Sequence, residues 1–372
     1  MKKLKQKILI TGGAGFIGSN LTDYFILLGH KVVVLDDLST GFEKNISQHF
    51  YNPDFKFIKG DIRNLETCKD AIKDCDYVLH EAALGSVPRS IKDPANTNSV
   101  NIDGFLNMLI VARDEGVKRF VYAASSSTYG DSKALPKVED KIGKPLSPYA
   151  ITKYVNELYA EVFAKTYKMQ CIGLRYFNVF GKRQDPNGAY AAVIPLWVKK
   201  LIKQESPLIN GDGNYSRDFT YIENVIQANE KALFTEDEKI AKGQHEYYNI
   251  ELENHKYNSQ ETSASSYVSS TEVLAKAEIP ISTLTSFSEV FNVAYGGNTN
   301  LIELFETLRD NLAKYNKEIY NIKPEFGPFR TGDIPHSQAS IKKAKMILGY
   351  KPEFDAQQGF KKVAEWYFEK LK

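Results

Sequence analysis

The chain has 372 residues, of which 42% are hydrophobic and 25% charged, enough for a large core and ordinary for a globular enzyme. The formal net charge of +2 gives no electrostatic reason to expect nucleic acid or an anionic membrane as a partner. The three cysteines form no CxxC pair and leave an odd one over, which argues against a disulfide framework or a zinc site.

The first half of the chain alternates short β-branched runs with segments of helical length. Six nearly continuous apolar runs are predicted strands: residues 7–11, 31–36, 55–61, 76–82, 119–125 and 169–176. Helices are predicted between them, notably over 94–115 and 147–167. The alternation predicts an α/β fold of the Rossmann type, a doubly wound parallel sheet, in residues 1–178.

The composition changes in the second half of the chain. Residues 179–235 and 290–372 contain more Pro, Gly, Asp and Asn and fewer strands, and we expect them to form a smaller α/β lobe. Residues 236–289 are rich in Ser, Thr, Glu and Lys and are predicted to be an insertion that is flexible or loosely packed.

The N-terminal segment combines basic and apolar residues, as signal peptides do. Its apolar run, residues 8–10, is too short for the hydrophobic region of such a peptide, and no stretch approaches the length of a membrane span. We therefore expect a cytoplasmic protein with no membrane partner.

A glycine-rich turn follows the first predicted strand. In "ILITGGAGFIGSN", Gly12 suits a tight turn, Gly15 allows backbone to approach a pyrophosphate, and Gly18 allows close packing of helix on strand. Asp36 ends the second strand, where it would accept from a ribose 2′-hydroxyl and repel a 2′-phosphate, so NAD is favoured over NADP. The other predicted cofactor contacts lie in the first helical turn and after the third and fourth strands: Phe16, Ile17, Asp61, Ile62, Ala82 and Ala83.

A second group of residues points to redox chemistry at an alcohol. Tyr149 and Lys153 are one helical turn apart, in a helix that "SP" at 147–148 is expected to cap. A lysine ammonium beside a phenol lowers its pKa, and Ser125, at the end of the fifth strand, would relay the proton. Together with NAD, these side chains predict proton abstraction from an alcohol during hydride transfer.

Over residues 1–235 and 290–372 the sequence resembles the extended short-chain dehydrogenases/reductases of the nucleotide-sugar epimerase/dehydratase group. The resemblance is carried by stretches such as "TGGAGFIGSN", "AALGSVPRSI", "YAASSSTYGD", "LSPYAITKYVNE" and "INGDGNYSRDFTYIENV". Within the group the pattern is most similar to bacterial UDP-N-acetylglucosamine 4-epimerases. It implies that Tyr149 is the base on the sugar O4, that Lys153 binds the nicotinamide ribose and tunes Tyr149, and that Ser125 holds O4 while NAD takes and returns the C4 hydride.

The resemblance also implies a set of substrate contacts. Dehydratases of the group carry an Asp–Glu pair after the strand-five serine and decarboxylating members a glutamate, whereas this chain has Ser126 and Ser127, so redox at C4 alone is implied. Ser337 matches a position where glucose-restricted epimerases carry tyrosine, and a serine there leaves room for an N-acetyl group. The remaining implied contacts to the sugar, diphosphate or uridine are Ser86, Asn178, Ala192, Val193, Trp197, Leu208, Asn210, Arg217, Arg330 and Asp333.

Three points stay open at the level of sequence. Trp197 by itself also fits a core residue. The substrate is either a UDP-N-acetylhexosamine or a UDP-hexuronic acid such as UDP-GlcNAc uronic acid, and a remote alternative is a non-catalytic NAD-sensing regulator. Glu81 stands in "HEAA" where an uncharged residue is usual, and we expect it to point away from the cofactor.

The resemblance further implies a homodimer formed through the helices near 94–115 and 147–167.

Overall fold

The computed structural model describes residues 5–186, 192–261, 286–329 and 334–372, and for residues 255–261 the backbone alone. Two implied substrate contacts, Arg330 and Asp333, lie outside the described residues, as does the serine-rich part of the predicted insertion, 262–285. The expectations that concern them therefore stay predictions.

A seven-stranded parallel sheet forms the centre of the molecule. Its strands are β1 (Lys7–Thr11), β2 (Lys31–Asp36), β3 (Phe55–Lys59), β4 (Tyr77–His80), β5 (Arg119–Ser125), β6 (Gln170–Tyr176) and β11 (Phe287–Val293). The short strands are β7 (Val179–Phe180), β8 (Leu208–Asn210), β9 (Ser216–Arg217), β10 (Thr220–Tyr221), β12 (Thr299–Asn300), β13 (Glu325–Gly327) and β14 (His336–Ser337).

The strand order of the main sheet is β11-β6-β5-β4-β1-β2-β3, with every neighbouring pair parallel. The chain therefore winds outward from β1 to β3, returns to β4 beside β1, and winds outward in the other direction. The order reverses between β1 and β4, and ligands of such sheets bind in the crevice outside the carboxyl ends at that point. The predicted Rossmann-type α/β fold is confirmed.

Apolar side chains on both faces explain why these strands lie inside the molecule. Along β2, Val32 and Val34 belong to the core on one face of the sheet, whereas Val33 and Leu35 belong to the core on the other. Successive side chains of a strand point to opposite faces, so a continuous apolar run suits a strand with helices on both sides.

The helices are α1 (Phe16–Leu27), α2 (Leu65–Ile72), α3 (Val87–Lys92), α4 (Pro94–Asn98), α5 (Gly104–Glu115), α6 (Pro148–Tyr167), α7 (Val193–Ile202), α8 (Ile222–Phe234), α9 (Asp237–Glu261), α10 (Leu301–Leu312), α11 (Lys342–Leu348) and α12 (Ala356–Leu371). A π-helical stretch, Ser99–Asp103, joins α4 to α5, so the predicted helical segment 94–115 is present. Within the described ranges, none of these helices has the length and apolar character needed to cross a bilayer. The cytoplasmic location stays a prediction.

The second lobe consists of short strands that share a core with the sheet. β9 lies between β12 and β14, and β8 pairs with β13. Trp197 of α7 and Leu304 of α10 belong to the same apolar core as β1 and β2. Helix α8 packs against α1 and the main sheet, so part of residues 179–235 belongs to the Rossmann layer.

The structure corrects the expectation for the described parts of residues 236–289, namely 236–261 and 286–289. Helix α9 buries Ile240, Ala241, Gln244, Tyr247 and Tyr248, at the spacing of one helix face, and it packs against α11. The last residues of the segment begin β11, so they belong to the main sheet. The average composition hid this apolar stripe, because the serine-rich residues that follow it dominate the segment.

Helix α9 is held onto the sheet by hydrogen bonds to the carboxylate of a buried ion pair. Glu289 of β11 forms an ion pair with Lys343 of α11 at 2.6 Å, and both side chains are 2% exposed. Gln244 Nε2 and the Tyr248 hydroxyl of α9 donate to the same carboxylate. A charge buried this deeply needs such partners, so α9 is anchored by polar contacts as well as apolar ones.

Candidate active site

The glycine turn after β1 is in close contact with the backbone that follows β4. Gly12 has a φ of +67°, in the left-handed region, and a Cβ there would lie 2.7 Å from the Ala82 nitrogen. A Cβ on Gly18 would lie 2.2 Å from the Gly12 carbonyl oxygen. Helix α1 therefore starts directly against the turn and presents its N-terminal N–H groups at the carboxyl edge of the sheet.

Asp36 connects the end of β2 to this turn. Its carboxylate accepts from the backbone nitrogens of Ala14 at 2.9 Å and Leu38 at 2.8 Å, and its side chain is 7% exposed. Burial raises its pKa, and the backbone donors oppose that shift. Two bonds leave each carboxylate oxygen able to accept again, as the ribose contact predicted from the sequence requires.

A cleft of about 410 Å³ opens at this edge of the sheet. All predicted cofactor and catalytic residues line it: Gly12, Gly15, Phe16, Ile17, Gly18, Asp36, Asp61, Ile62, Ala82, Ala83, Ser125, Tyr149 and Lys153. The side-chain-free glycine turn, the N-terminus of α1 and the buried carboxylate fit NAD. Among the described residues, no three His, Cys, Asp or Glu side chains are grouped as metal ligands would be.

Tyr149 and Ser125 form the hydroxyl pair of the cleft. The Ser125 hydroxyl bonds the Tyr149 phenol, and it also accepts from the Ser127 nitrogen at 3.1 Å and hydroxyl at 2.9 Å. Burial raises the pKa of Tyr149, and the bond from Ser125 acts in the opposite direction. A chain of hydroxyls of this kind can pass a proton.

Lys153 supplies a positive charge to the cleft, one helical turn after Tyr149. Its side chain is 3% exposed, and Nζ donates to the Ala123 carbonyl of β5 at 2.8 Å. Burial lowers its pKa to about 8, while Glu81 and Glu157 act to raise it. The predicted cap is confirmed, because the Ser147 hydroxyl accepts from the Ala150 nitrogen and α6 begins at Pro148.

Three residues of the cleft were missed or misjudged from the sequence. Glu81 lines the cleft, so the expectation that it points away from the cofactor site is wrong. Tyr176 and Arg89 line it as well. Tyr176 ends β6 at the carboxyl edge, a position that could have identified it. Arg89 lies on α3 and not at the end of a strand, so only the three-dimensional structure shows that it lines the cleft.

Two implied substrate contacts of the second lobe are direct neighbours. Ser337 of β14 is the register partner of Arg217 of β9, and the Ser337 carbonyl accepts from the Asp218 nitrogen at 2.8 Å. Asn178 Nδ2 donates to the Asp218 carbonyl at 3.0 Å, which brings a third implied contact to the same place. The structure thus brings Asn178, Arg217 and Ser337, which are far apart in sequence, close to one another.

The other implied contacts are more scattered. Ser86 caps α3 by accepting from the Arg89 nitrogen, and Trp197 is 3% exposed and lies in the core, the alternative that the sequence left open. The remaining ones keep partly or largely exposed side chains: Ser126, Ala192, Val193, Leu208 and Asn210. None of these contacts lines the cleft itself.

Known proteins resemble the chain over most of its length. The model of the NAD dependent epimerase/dehydratase family matches residues 8–250. A putative UDP-glucose 4-epimerase of Methanocaldococcus jannaschii is 34% identical, over 96% of this chain and 97% of that protein.

Solved structures of UDP-sugar 4-epimerases are also similar to this chain over most of its length. The UDP-N-acetylglucosamine 4-epimerase of Methanobrevibacter ruminantium, in complex with UDP-N-acetylmuramic acid, is 31% identical with a TM-score of 0.78, covering 98% of this chain and 99% of that one. The UDP-glucuronic acid 4-epimerase of Bacillus cereus, with UDP-glucuronic acid and NAD, is 25% identical with a TM-score of 0.77, covering 98% and 100%.

Replacing Gly18 with alanine should weaken NAD binding on the order of tenfold or more, because the added carbon would collide with the Gly12 carbonyl and displace the turn. Titration of the nucleotide-free protein with NAD measures this. Gly297→Ala is the matched control, since its added carbon would meet only the Tyr295 ring, at 3.1 Å. Unchanged affinity in Gly18→Ala would contradict the assignment of the turn.

Proposed function

Because the chain belongs to the NAD dependent epimerase/dehydratase family and is an NAD-dependent UDP-sugar 4-epimerase, we propose that it interconverts UDP-GlcNAc and UDP-GalNAc, the C4 epimers of a UDP-N-acetylhexosamine. The observation that carries this proposal is the grouping of Tyr149, Ser125 and Lys153 in one cleft with the glycine turn. The adjoining Ser126 and Ser127 add no carboxylate for elimination or decarboxylation.

The proposed roles follow from the contacts of each side chain. Tyr149 removes the proton from the sugar O4, and Ser125, already bonded to the phenol, holds O4 and shares that proton. Lys153 stabilises the phenolate by its charge, and its bond to the Ala123 carbonyl keeps it in place. NAD, held by the glycine turn and Asp36, supplies the hydride acceptor and donor at C4.

Ser337 supports the N-acetylated substrate. It lies beside Arg217, whose guanidinium suits a diphosphate. A small side chain at this point leaves volume for an acetamido group on a sugar that must turn between the two hydride transfers. Asn178, within the same contact network, is proposed as a further diphosphate contact.

A UDP-hexuronic acid is the second candidate substrate, and Arg89 is the observation that favours it. This guanidinium lines the cleft that contains Tyr149, and a carboxylate at C6 would pair with it.

Incubation with UDP-GlcNAc, UDP-GlcNAc uronic acid and UDP-glucose, followed by separation of the 4-epimers, should give the fastest turnover with UDP-GlcNAc. In Ser337→Tyr, kcat/KM for the N-acetylated sugars should fall about tenfold or more relative to UDP-glucose, because the ring occupies the acetamido volume. Ser337→Ala is the control and should keep the substrate order. No epimerisation of any of the three sugars would refute the proposal and leave the NAD-sensing alternative.

Tyr149→Phe should lower kcat by about 10²–10⁴-fold while NAD stays bound, because the variant keeps the ring and loses the base. Epimerisation rates and the bound nucleotide measure the two effects separately. Tyr154→Phe, on the same helix but outside the cleft, should be close to the native enzyme. Near-native turnover of Tyr149→Phe would rule out its role as base.

We also propose a homodimer formed through α5 and α6. On α6, Ile151, Leu158 and Val162 are 51%, 44% and 55% exposed and form one stripe by their spacing. A helix of a partner subunit would remove this apolar surface from water.

Leu158→Glu should halve the mass measured by light scattering, because a carboxylate would be buried in the interface. Leu27→Glu is the matched control on α1, where the leucine is 83% exposed, and it should remain dimeric. A native protein that is monomeric, or a Leu158→Glu variant that stays dimeric, would contradict the proposed interface.

A further inference from the structure

Glu81 is an ionisable side chain in the cleft to which the reaction described above gives no role. It follows β4 directly and lies beside Ala82 and Ala83, on the wall that also carries Lys153 and Tyr149. Its Oε1 accepts from the Tyr176 hydroxyl at 2.8 Å. Tyr176 in turn accepts from Asn229 Nδ2 at 2.9 Å, which directs the phenolic proton towards Glu81.

This chain of bonds fixes the carboxylate in place. Asn229 is fully buried in α8, and its Nδ2 also donates to the Val225 carbonyl within the helix. Glu81 is therefore held by a rigid amide and a phenol that is 9% exposed, at the point where β4, β6 and α8 meet. A carboxylate held in this way has a fixed position in the cleft that Tyr149 and Lys153 also line.

The ionisable groups that act on Glu81 come from two elements besides its own. Tyr176 of β6 bonds it, and Lys153 and Tyr149 of α6 interact with its charge. Its chain neighbour His80 faces the other side of the sheet, where it bonds the Thr11 hydroxyl at 2.9 Å. From α8 the facing group is the uncharged Asn229.

We propose that Glu81 is a positioning residue of the 4-epimerase, whose charge keeps Lys153 in the ammonium form and sets the alkaline limit of activity. The inference rests on the proposed catalytic roles of Tyr149 and Lys153. Glu81 touches neither of the reacting oxygens; it acts through the lysine.

The physical argument is a balance of charges in a site with little water. Burial favours the neutral amine of Lys153 and lowers its pKa to about 8. A carboxylate on the same wall opposes that loss of charge, and burial raises the pKa of Glu81 itself to about 7. Glu81 and Lys153 therefore titrate as a pair, and the charge on the carboxylate favours the ammonium form of the lysine.

The sign of the effect follows from the negative charge that Glu81 carries. Above a pH of about 7, Glu81 carries its charge and raises the pKa of Lys153, so the ammonium persists to higher pH. The same charge raises the pKa of Tyr149. Removing it lowers the pKa of Lys153, because the ammonium then titrates with one negative charge fewer beside it.

Glu81→Gln should move the alkaline limb of the kcat/KM profile to lower pH by about 0.5 to 1 unit, the usual size of one charge interaction at such a site. Tyr176→Phe should move it in the same direction by less, because Glu81 without its donor is harder to ionise. In the double variant, Tyr176→Phe should add nothing to the shift of Glu81→Gln. The melting temperature of each variant, measured in parallel, shows whether it folds.

Glu230→Gln is the matched control, a carboxylate on α8 that accepts from the Tyr24 hydroxyl and does not line the cleft. Its profile should coincide with the native one. An alkaline limb that stays in place or moves to higher pH in Glu81→Gln would overturn the proposal, as would additive shifts in the double variant.

A second measurement separates this inference from the proposed function. The pKa of Lys153, followed by NMR of isotope-labelled lysine and assigned with Lys153→Met, should be lower in the Glu81→Gln background. If no UDP-sugar is epimerised but this titration moves as expected, the proposed function fails and the charge coupling holds. If it does not move, the coupling fails whatever the activity.

Discussion

A backbone contact that only glycine permits determines where the cleft lies. The turn at Gly12 approaches the Ala82 backbone so closely that a Cβ at residue 12 would collide with it. The Thr11 hydroxyl strengthens this junction, because it bonds His80 and accepts from the Ala82 nitrogen. The ends of β1 and β4 are thereby held together at the point where the strand order reverses. The N-terminus of α1, Asp36 and the residues after β4 owe their positions to this junction.

Burial acts on the positive charge that the proposed reaction needs. Lys153 is almost fully buried, and its pKa falls for that reason, although the proposed reaction requires its ammonium form. A dry site strengthens the attraction between a cation and a developing phenolate, but it also makes the cation costly. Glu81 offsets that cost without contacting the reacting atoms. The Glu157 carboxylate adds a second, weaker contribution, since it is engaged with Arg175 in a buried ion pair.

Patterns within short stretches of sequence predicted the strands and turns whose structure depends on residues close together in the chain. Continuous apolar runs identified the strands of the first half, and the spacing of Gly12, Gly15 and Gly18 located the tight turn after β1, because each pattern reflects a backbone requirement. Alternation along β4 places Glu81 on the face of Leu79, opposite His80. The sequence could not show that Tyr176, nearly a hundred residues later, ends on that face and binds it. Composition likewise failed for α9, whose buried face depends on Lys343 and Glu289, residues supplied by distant elements.

The residues proposed for substrate range and those proposed for catalysis lie on separate parts of this structure. Tyr149 and Lys153 are held by a long helix against the sheet, whereas Arg217 and Ser337 lie on strands of two residues each. These short strands cannot be stable alone, and a buried carboxylate, Asp218, compensates by accepting from the backbone nitrogens of 295, 296 and 339. Burial raises the pKa of Asp218 to about 7, and the backbone donors oppose that rise. Because Asp218 holds the backbone and the proposed role of the Ser337 side chain is to leave volume, we expect sugar specificity to change with the side chain at residue 337 without an effect on the proton chemistry proposed for Tyr149.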